Sequence, residues 1–277
     1  LRSRQGVASE FASFPAPFVH DAFAALGGTD SCTVDPHKMG YLPYGAGAFI
    51  CRDNRVMTLL AEQADYVFHG GTHDDYLEHY RSLGQYIPEG SKPGAMAAAA
   101  YVTHKVLPLD SSNFGRLPAQ TILSAEAFLA TARKFAEQIA PFATVTVPFA
   151  PDSNLVCIGL NPAGNQSLAQ ANQFVCRLHD DMRCDPSQPL QLKEFFASAT
   201  TLRSDAMGDV AMKDILRSLA IDPYSSESDG DNRLFILRHT LMNPYLLDKE
   251  NGISYIQRYF DYLGQRIRLL LSATTST

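Results

Sequence analysis

Two adjacent residues, His37 and Lys38, have the types and spacing for chemistry on a carbonyl compound. An unprotonated lysine amine can form a Schiff base with an aldehyde. Desolvation at the end of a buried strand would disfavour the ammonium form and raise the reactive fraction. Pro36 fixes one backbone dihedral just before the pair and so gives both side chains a defined direction. The spacing alone also fits a surface lysine in a turn beside a core histidine, and that interpretation stays open.

Secondary structure on both sides of this segment is predicted to hold it in place. Residues 31–34 and 48–51 have the content of two short strands, separated by the Gly-, Pro- and Tyr-rich turn 40–47. An apolar pattern with helical spacing over residues 17–26 precedes the first strand. The sequence therefore predicts that Lys38 follows the end of a buried strand.

The chain is predicted to contain two domains. Residues 62–93 show little periodicity and are predicted to form a long functional loop. Residues 94–107, with four successive alanines, are predicted to form a buried helix that a neighbour can approach closely. The Ser-, Asn- and Gly-rich stretch that follows this helix is typical of a boundary, which we place between domains 1–112 and 113–277.

The second domain is predicted to belong to the α+β class. Helical spacing alternates in it with short apolar runs that are typical of strands. The predicted helices are 118–139, 168–182 and 253–271, and the predicted strands are 144–147, 155–160 and 233–241.

Composition argues against several classes of partner. The formal net charge of -6 and the lack of a basic run disfavour nucleic acid and anionic membranes. No uncharged apolar run is long enough to span a bilayer, so we expect no membrane segment. The five cysteines form no C-x-x-C pair, which fits reduced thiols and a cytoplasmic location. His69 and His73 flank two glycines rather than sharing a helical face, so no metal site is predicted.

Four blocks in this sequence, taken in order, resemble the group II pyridoxal-phosphate decarboxylases and especially bacterial tyrosine decarboxylases. The blocks are residues 30–44, 66–68, 86–95 and 238–244. The resemblance implies an α/β, fold-type I PLP-dependent transferase-like fold. In that fold this chain would supply the C-terminal part of the large domain and a small α+β C-terminal domain. It also implies a homodimer with the active site at the subunit interface.

The resemblance assigns catalytic roles to residues in the first two blocks. Lys38 is expected to bind pyridoxal 5'-phosphate covalently, with His37 beside the cofactor phosphate. Asp35 stands where many relatives have asparagine and is placed among the cofactor-binding residues, where it would orient His37 rather than touch the phosphate. Tyr66 matches a tyrosine that donates a proton to the substrate α-carbon after decarboxylation.

The last two blocks supply expected binding residues. Gly90 and Ser91 precede a helix, and in the family this segment reaches the cofactor phosphate of the opposite subunit. Arg238 matches an arginine that faces a substrate carboxylate, and an arginine in an apolar strand needs an anionic partner. His239 and Thr240 beside it are candidate pocket residues.

Parts of the family's active site are not recognisable before Lys38. Relatives have a phosphate-binding Ser/Gly segment, a histidine that stacks on the cofactor ring and an aspartate that pairs with the pyridine nitrogen, all upstream of the lysine. Only 37 residues precede Lys38 here. We therefore expect the N-terminal half of the enzyme to be missing from this polypeptide, and the chain alone neither to bind cofactor tightly nor to catalyse.

The function implied is decarboxylation of an aromatic L-amino acid, tyrosine to tyramine, with release of carbon dioxide. One alternative keeps the fold but takes an acidic substrate such as glutamate or aspartate. A second alternative, from a different class, is a catalytically incomplete fragment that acts only as a dimerisation module.

Overall fold

The structure of the chain is a computed structural model that describes eight ranges or single positions. The described residues are 4–8, 10–53, 55–56, 59, 84, 93–187, 189–225 and 232–274. Most of the predicted functional loop lies outside them, and so do the predicted site residues Tyr66, Gly90 and Ser91.

The elements alternate between helices and short strands. From the N-terminus they are α1 (Arg4–Ala8), α2 (Pro17–Ala25), a 3-10 turn (Leu26–Gly28), β1 (Ser31–Val34), β2 (Ala48–Cys51), α3 (Ala95–Val106) and α4 (Arg116–Ile139). They are followed by β3 (Ala143–Thr146), β4 (Leu155–Pro162), α5 (Leu168–Met182), a 3-10 turn (Leu190–Leu192), β5 (Ser198–Arg203), α6 (Ser204–Met207), α7 (Asp209–Ser218), β6 (Arg233–Thr240), β7 (Leu247–Asp248), β8 (Ile253–Ser254) and α8 (Tyr255–Thr274). Within the described part of the chain, no helix combines the length and the hydropathy that crossing a membrane requires.

Contacts between residues divide the chain into two compact units. The first unit is Phe18–Arg116, and the second is Leu117–Thr277 together with Arg2–Pro17. The second unit therefore includes a segment from the N-terminus, which the sequence did not indicate. The domain boundary that the sequence predicts after residue 112 stays a prediction.

The first unit contains an antiparallel strand pair that brackets the segment with Lys38. β1 and β2 pair from Ser31 opposite Cys51 to Val34 opposite Ala48, with the bounds that the sequence predicted. The prediction that the first strand is buried is wrong, because three of its four residues are exposed. Two strands alone cannot cover either of their own faces.

Helix α3 of the first unit is also more exposed than predicted. The alanine-rich segment forms a helix, as the sequence predicted, and the helix ends just before Pro108. None of its residues is buried, and Tyr101, Val102 and Val106 expose more than half of their surface. The helix prediction is confirmed and the predicted burial is wrong for the described residues.

The second unit is built on a four-stranded antiparallel sheet in the order β3-β4-β6-β5. The central strand β6 pairs with β4 on one side and β5 on the other. Arg238 lies opposite Cys157 of β4 and opposite Ser198 of β5. Because directly opposite residues share a face, these three side chains lie on one face of the sheet and His239 on the other.

Both faces of this sheet bury apolar side chains. On one face α4, α5 and α8 provide a core that includes the rings of Phe128, Phe135, Phe174 and Phe260 and the strand residues Val156, Ile158 and Leu237. On the other face α7 and the residues after it provide a second core that includes Met212, Leu216, Leu219 and Ile221 and the strand residues Cys157, Leu234 and Ile236. The sheet is thereby fixed from both sides, which gives β6 a defined position for its polar residues.

One carboxylate binds the N-terminal segment within the second unit. Glu126 on α4 accepts hydrogen bonds from the backbone N–H groups of Ala12, Ser13 and Phe14 at 3.0, 2.6 and 3.2 Å, and the Ser13 hydroxyl donates at 2.9 Å. We call these four residues the N-terminal clasp. Burial alone would raise the pKa of the Glu126 carboxyl, but the four hydrogen bonds outweigh burial and lower it.

Replacing Glu126 by glutamine should weaken the N-terminal clasp by about 1–2 kcal/mol, because an amide offers one oxygen acceptor without charge. Hydrogen exchange should show reduced protection of the Ser13 and Phe14 amides. The folded-state pKa is lowered, so the carboxylate stabilises the clasp at neutral pH and the effect disappears as the pH falls through that pKa. Glu137→Gln, an exposed position on the same helix, is the control. Equal protection in both variants would contradict the clasp.

Candidate active site

A tight turn follows β1 and presents Lys38 to solvent. We call residues 35–42 the lysine turn. The Lys38 N–H donates to the Asp35 carbonyl at 3.0 Å, and the Leu42 N–H closes the turn by donating to the Pro36 carbonyl at 3.1 Å. Leu42 is buried, so it anchors the end of the turn while the lysine side chain points outward.

Gly40 makes the lysine turn possible. A Cβ atom at this position would lie 2.4 Å from the Pro36 carbonyl oxygen and 2.7 Å from the Pro36 Cα. Both atoms belong to the backbone and cannot rotate away as a flexible side chain would. The next residue, Tyr41, adopts a left-handed conformation with φ of 53°, which completes the change of direction.

The Lys38 amine is paired with a carboxylate. Its Nζ lies 2.7 Å from Asp35 Oδ2, and 62% of the lysine side chain is exposed. The hydrogen bond to Asp35 raises the pKa of Lys38, and the negative charge of Asp35 adds to this effect. The sequence-based prediction of a desolvated lysine with a disfavoured ammonium form is therefore wrong for the described residues. The Asp35 carboxylate hydrogen-bonds Lys38, and its predicted role in orienting His37 stays a prediction.

His37 is oriented by the residues that follow the lysine turn. Its Nδ1 lies 2.7 Å from the Ala46 carbonyl oxygen, which can only accept, so Nδ1 carries the proton. The imidazole also packs on the Tyr44 ring, with 4.7 Å between the ring centroids. Nε2 makes no hydrogen bond with a described residue. The ring is therefore held by one nitrogen and offers the other to a ligand.

In the second unit, Arg238 contacts a hydroxyl group rather than a carboxylate. The Arg238 side chain is exposed, and its Nε lies 3.3 Å from the Ser198 hydroxyl on β5. Among the described residues no acidic side chain lies within ion-pair distance of it. The predicted anionic partner is therefore not a described side chain, and an anionic ligand as that partner stays a prediction. The group is available to an anionic ligand.

All three predicted substrate residues line one cavity of about 410 Å³ in the second unit. Arg238, His239 and Thr240 form part of its wall. Most of the remaining wall is apolar or aromatic and consists of Phe128, Phe195, Phe196, Ala197, Leu241, Met242, Leu246, Tyr255, Ile256 and Tyr259, with Ser198 and Asn243 as further polar residues. A mostly apolar wall with a few polar groups is the usual character of a small-molecule site.

His239 is engaged within the protein. Its Nδ1 donates to the Val156 carbonyl at 3.2 Å, and its Nε2 accepts from the Tyr259 hydroxyl at 2.5 Å. Burial lowers the pKa of His239 to about 4, so the imidazole is neutral at physiological pH, and burial raises the pKa of Tyr259. Both ring nitrogens are used, so His239 contributes shape to the cavity. No sequence pattern singles out Tyr259, because helical spacing explains that tyrosine equally well.

The donor set of the lysine turn fits an aldehyde-bearing cofactor. An accessible primary amine can condense with an aldehyde, and the free Nε2 of His37 suits an anionic group nearby. Within the described residues, no cluster of three His, Cys, Asp or Glu side chains could hold a metal ion. The structure thus brings together Asp35, His37 and Lys38 in one unit and Arg238, His239 and Thr240 in the other.

Comparisons with known proteins agree with the family that the sequence resembles. Residues 132–267 match the family described as tyrosine decarboxylase, C-terminal. The L-tyrosine decarboxylase of Levilactobacillus brevis is 30% identical over 274 residues, which cover 99% of this chain and 41% of that protein. A Methanopyrus kandleri protein named "Probable L-tyrosine/L-aspartate decarboxylase" is 31% identical over 117 residues, which cover 40% of this chain and 28% of that protein. The chain spans about two fifths of the length of the first of these relatives.

Solved structures support the same fold. The crystal structure of Oryza sativa TDC with PLP and tryptamine superimposes with a TM-score of 0.58 at 11% sequence identity, over 92% of this chain and 42% of that one. At this identity the similarity concerns the fold alone. It confirms the predicted α/β, PLP-dependent transferase-like fold class.

Proposed function

We propose that this chain belongs to the group II pyridoxal-phosphate-dependent decarboxylase family and is part of an enzyme that removes carbon dioxide from an L-amino acid, because residues 132–267 match the C-terminal family of tyrosine decarboxylases. The substrate that the relatives favour is tyrosine, and the product would be tyramine. The observation that carries the proposal is that similarity to an L-tyrosine decarboxylase runs along almost the whole chain, including the lysine turn.

The lysine turn would hold pyridoxal 5'-phosphate. When bound, the cofactor supplies an electron sink for the negative charge left at the substrate α-carbon as carbon dioxide departs. Lys38 would attach to it covalently, His37 would offer Nε2 to its phosphate, and Asp35 would bind the lysine. By resemblance, Tyr66 would return a proton to the substrate α-carbon.

Two further residues complete the proposed cofactor site. Gly90 and Ser91 would donate backbone N–H groups to the phosphate of the opposite subunit in a homodimer, as the resemblance implies.

The exposed apolar residues of α3 support the existence of a partner surface on the first unit. Light scattering of the purified protein at several concentrations would test the homodimer. A cytoplasmic location is proposed as well, since free thiols suit a reducing compartment.

Substrate binding is assigned to the cavity of the second unit. Arg238 would bind the substrate carboxylate through its planar guanidinium, with Thr240 beside it and His239 shaping the wall. The many aromatic and aliphatic residues of the wall favour a substrate with an apolar side chain. These features support an aromatic amino acid.

Replacing Arg238 by methionine should raise KM about 10- to 100-fold, because a charge-assisted pair contributes about 1.5–3 kcal/mol. Steady-state kinetics with tyrosine would measure the change. Arg233→Met removes an exposed guanidinium from the first residue of the same strand, on the opposite face from Arg238, and should leave KM within twofold, about 0.4 kcal/mol. A similar KM in both variants would remove Arg238 from the substrate site.

A second candidate substrate class is an acidic amino acid. The relative named for both tyrosine and aspartate favours it, and the exposed Arg238 could bind a side-chain carboxylate. Carbon dioxide release measured with tyrosine, glutamate and aspartate separates the two. We expect turnover of tyrosine, whereas turnover of only glutamate or aspartate would establish the acidic class. If the holoenzyme neither releases carbon dioxide nor attaches cofactor, the chain acts as a dimerisation module instead.

A further inference from the structure

The backbone of the lysine turn holds the side chains of Asp35 and Lys38 close to each other. The two residues are three positions apart, and the hydrogen bond from the Lys38 N–H to the Asp35 carbonyl holds their side chains on the same side. The Nζ to Oδ2 distance of 2.7 Å is that of a strong charge-assisted hydrogen bond. The Asp35 side chain is 41% exposed and the Lys38 side chain 62% exposed, so water reaches both charged groups.

The surroundings of the pair leave Asp35 as its dominant partner. The titratable and charged groups that act on Lys38 are Asp35 and Tyr44, and those that act on Asp35 are Lys38 and His37. Among the described residues no second carboxylate lies within 4 Å of Nζ. His37 is directed toward Ala46 by its own hydrogen bond. Among the described groups, Asp35 therefore contributes most to the raised pKa of Lys38.

Building on the proposed function, we propose that Asp35 is a positioning residue that binds the ammonium group of Lys38 whenever the lysine is not covalently attached to the cofactor. The carboxylate would restrict a long flexible side chain to one direction, close to the point where it must attach. It would also stabilise the released, protonated lysine relative to the attached one. Asp35 thus acts through Lys38 and not on the substrate.

The chemistry of release is balanced without a further reactant. When bound, the cofactor would supply the aldehyde-derived carbon to which Lys38 Nζ is attached, and the substrate nitrogen would take the place of Nζ there. The substrate ammonium group would give up three protons, Nζ would gain three and leave as an ammonium group, and Asp35 would then bind it. The raised pKa of Lys38 and the lowered pKa of Asp35 agree with this charged pair.

The test measures the reactivity of the Lys38 amine in the cofactor-free form of the protein. Competitive acetylation at neutral pH, followed by peptide mass analysis, gives the rate at each lysine. Asp35→Asn should increase the Lys38 rate about two- to fivefold, which is the range expected for an exposed ion pair. Asp35→Glu, which keeps the charge, should return the rate toward that of the wild type.

A matched control exists on α7. Asp214 and Arg217 form an exposed ion pair with the same three-residue spacing, and Asp214→Asn changes the net charge by the same amount. It should leave the Lys38 rate unchanged. In the wild type, Lys38 should also react more slowly than exposed Lys134, which has no ion pair with a described residue.

Three outcomes would overturn the role of Asp35. They are an unchanged Lys38 rate in Asp35→Asn, an equal increase in Asp214→Asn, and a wild-type Lys38 that reacts at least as fast as Lys134. None of these measurements needs bound cofactor or turnover. Failure of the proposed decarboxylase would appear elsewhere, as a holoenzyme that releases no carbon dioxide, so the two failures are distinguishable.

Discussion

Replacing Lys38 by alanine should abolish covalent attachment of pyridoxal phosphate and reduce carbon dioxide release by about three orders of magnitude or more. Among the described residues, Lys38 is the lysine that the turn after β1 holds outward beside a carboxylate and an imidazole. Without its amine the aldehyde has no nucleophile in this turn. Borohydride reduction of the holoenzyme, followed by peptide mapping, should label Lys38 in the wild type and nothing in Lys38→Ala.

Lys105→Ala provides the control for loss of a lysine from the same unit. Lys105 lies on α3, where its Nζ is 5.5 Å from the centroid of the Tyr101 ring. Its removal should leave the label on Lys38 and the yellow colour of the bound cofactor intact. Label that persists in Lys38→Ala would instead assign the attachment to another lysine, and the proposed function would lose its central residue.

The elements that the sequence predicted well have strong local signals. The bounds of β1, β2 and α5 agree with the structure. At the start of α5 the Ser167 hydroxyl accepts a hydrogen bond from the Gln170 N–H, which is the N-cap that a serine before an amphipathic run indicates. Local signals of this kind do not depend on the rest of the molecule, so they can be read from the chain alone.

Elements that depend on distant partners were missed. β5 is an edge strand in which serine, threonine and arginine outnumber the two apolar residues, and it forms because β6 supplies its hydrogen bonds. The N-terminal clasp joins Ser13 to Glu126, more than a hundred positions away. Neither interaction can be predicted from the residue pattern of a short stretch of sequence.

The same difference between local signals and distant interactions applies to the candidate site. Lys38 and His37 were predicted from residue type together with the family resemblance, because spacing alone left a surface lysine open. Arg238, His239 and Thr240 line one cavity. The contacts that set the charge of these groups were not predicted, because burial and hydrogen bonding are properties of the fold. The sequence indicated a lysine with a disfavoured ammonium form, whereas the Asp35 carboxylate favours that form.

The close packing of the lysine turn at Gly40 can be tested by adding one methyl group. Gly40→Ala should lower covalent cofactor attachment at least about tenfold. The new Cβ would meet the Pro36 carbonyl oxygen at 2.4 Å, well inside van der Waals contact, and the backbone would have to move. Such overpacking costs about 1–3 kcal/mol, which here would displace the turn that carries Lys38. Borohydride labelling of Lys38 and thermal unfolding would measure both effects.

Gly47→Ala separates the steric argument from the general loss of a glycine. A Cβ at Gly47 would meet nothing within 4 Å, although this residue lies only seven positions further along the same segment. This variant should retain normal labelling and should unfold within about 0.5 kcal/mol of the wild type. If Gly40→Ala labels as well as Gly47→Ala, the close approach to Pro36 does not determine the position of Lys38. Labelling lost only in Gly40→Ala would mean that one backbone contact sets the direction of the reactive amine.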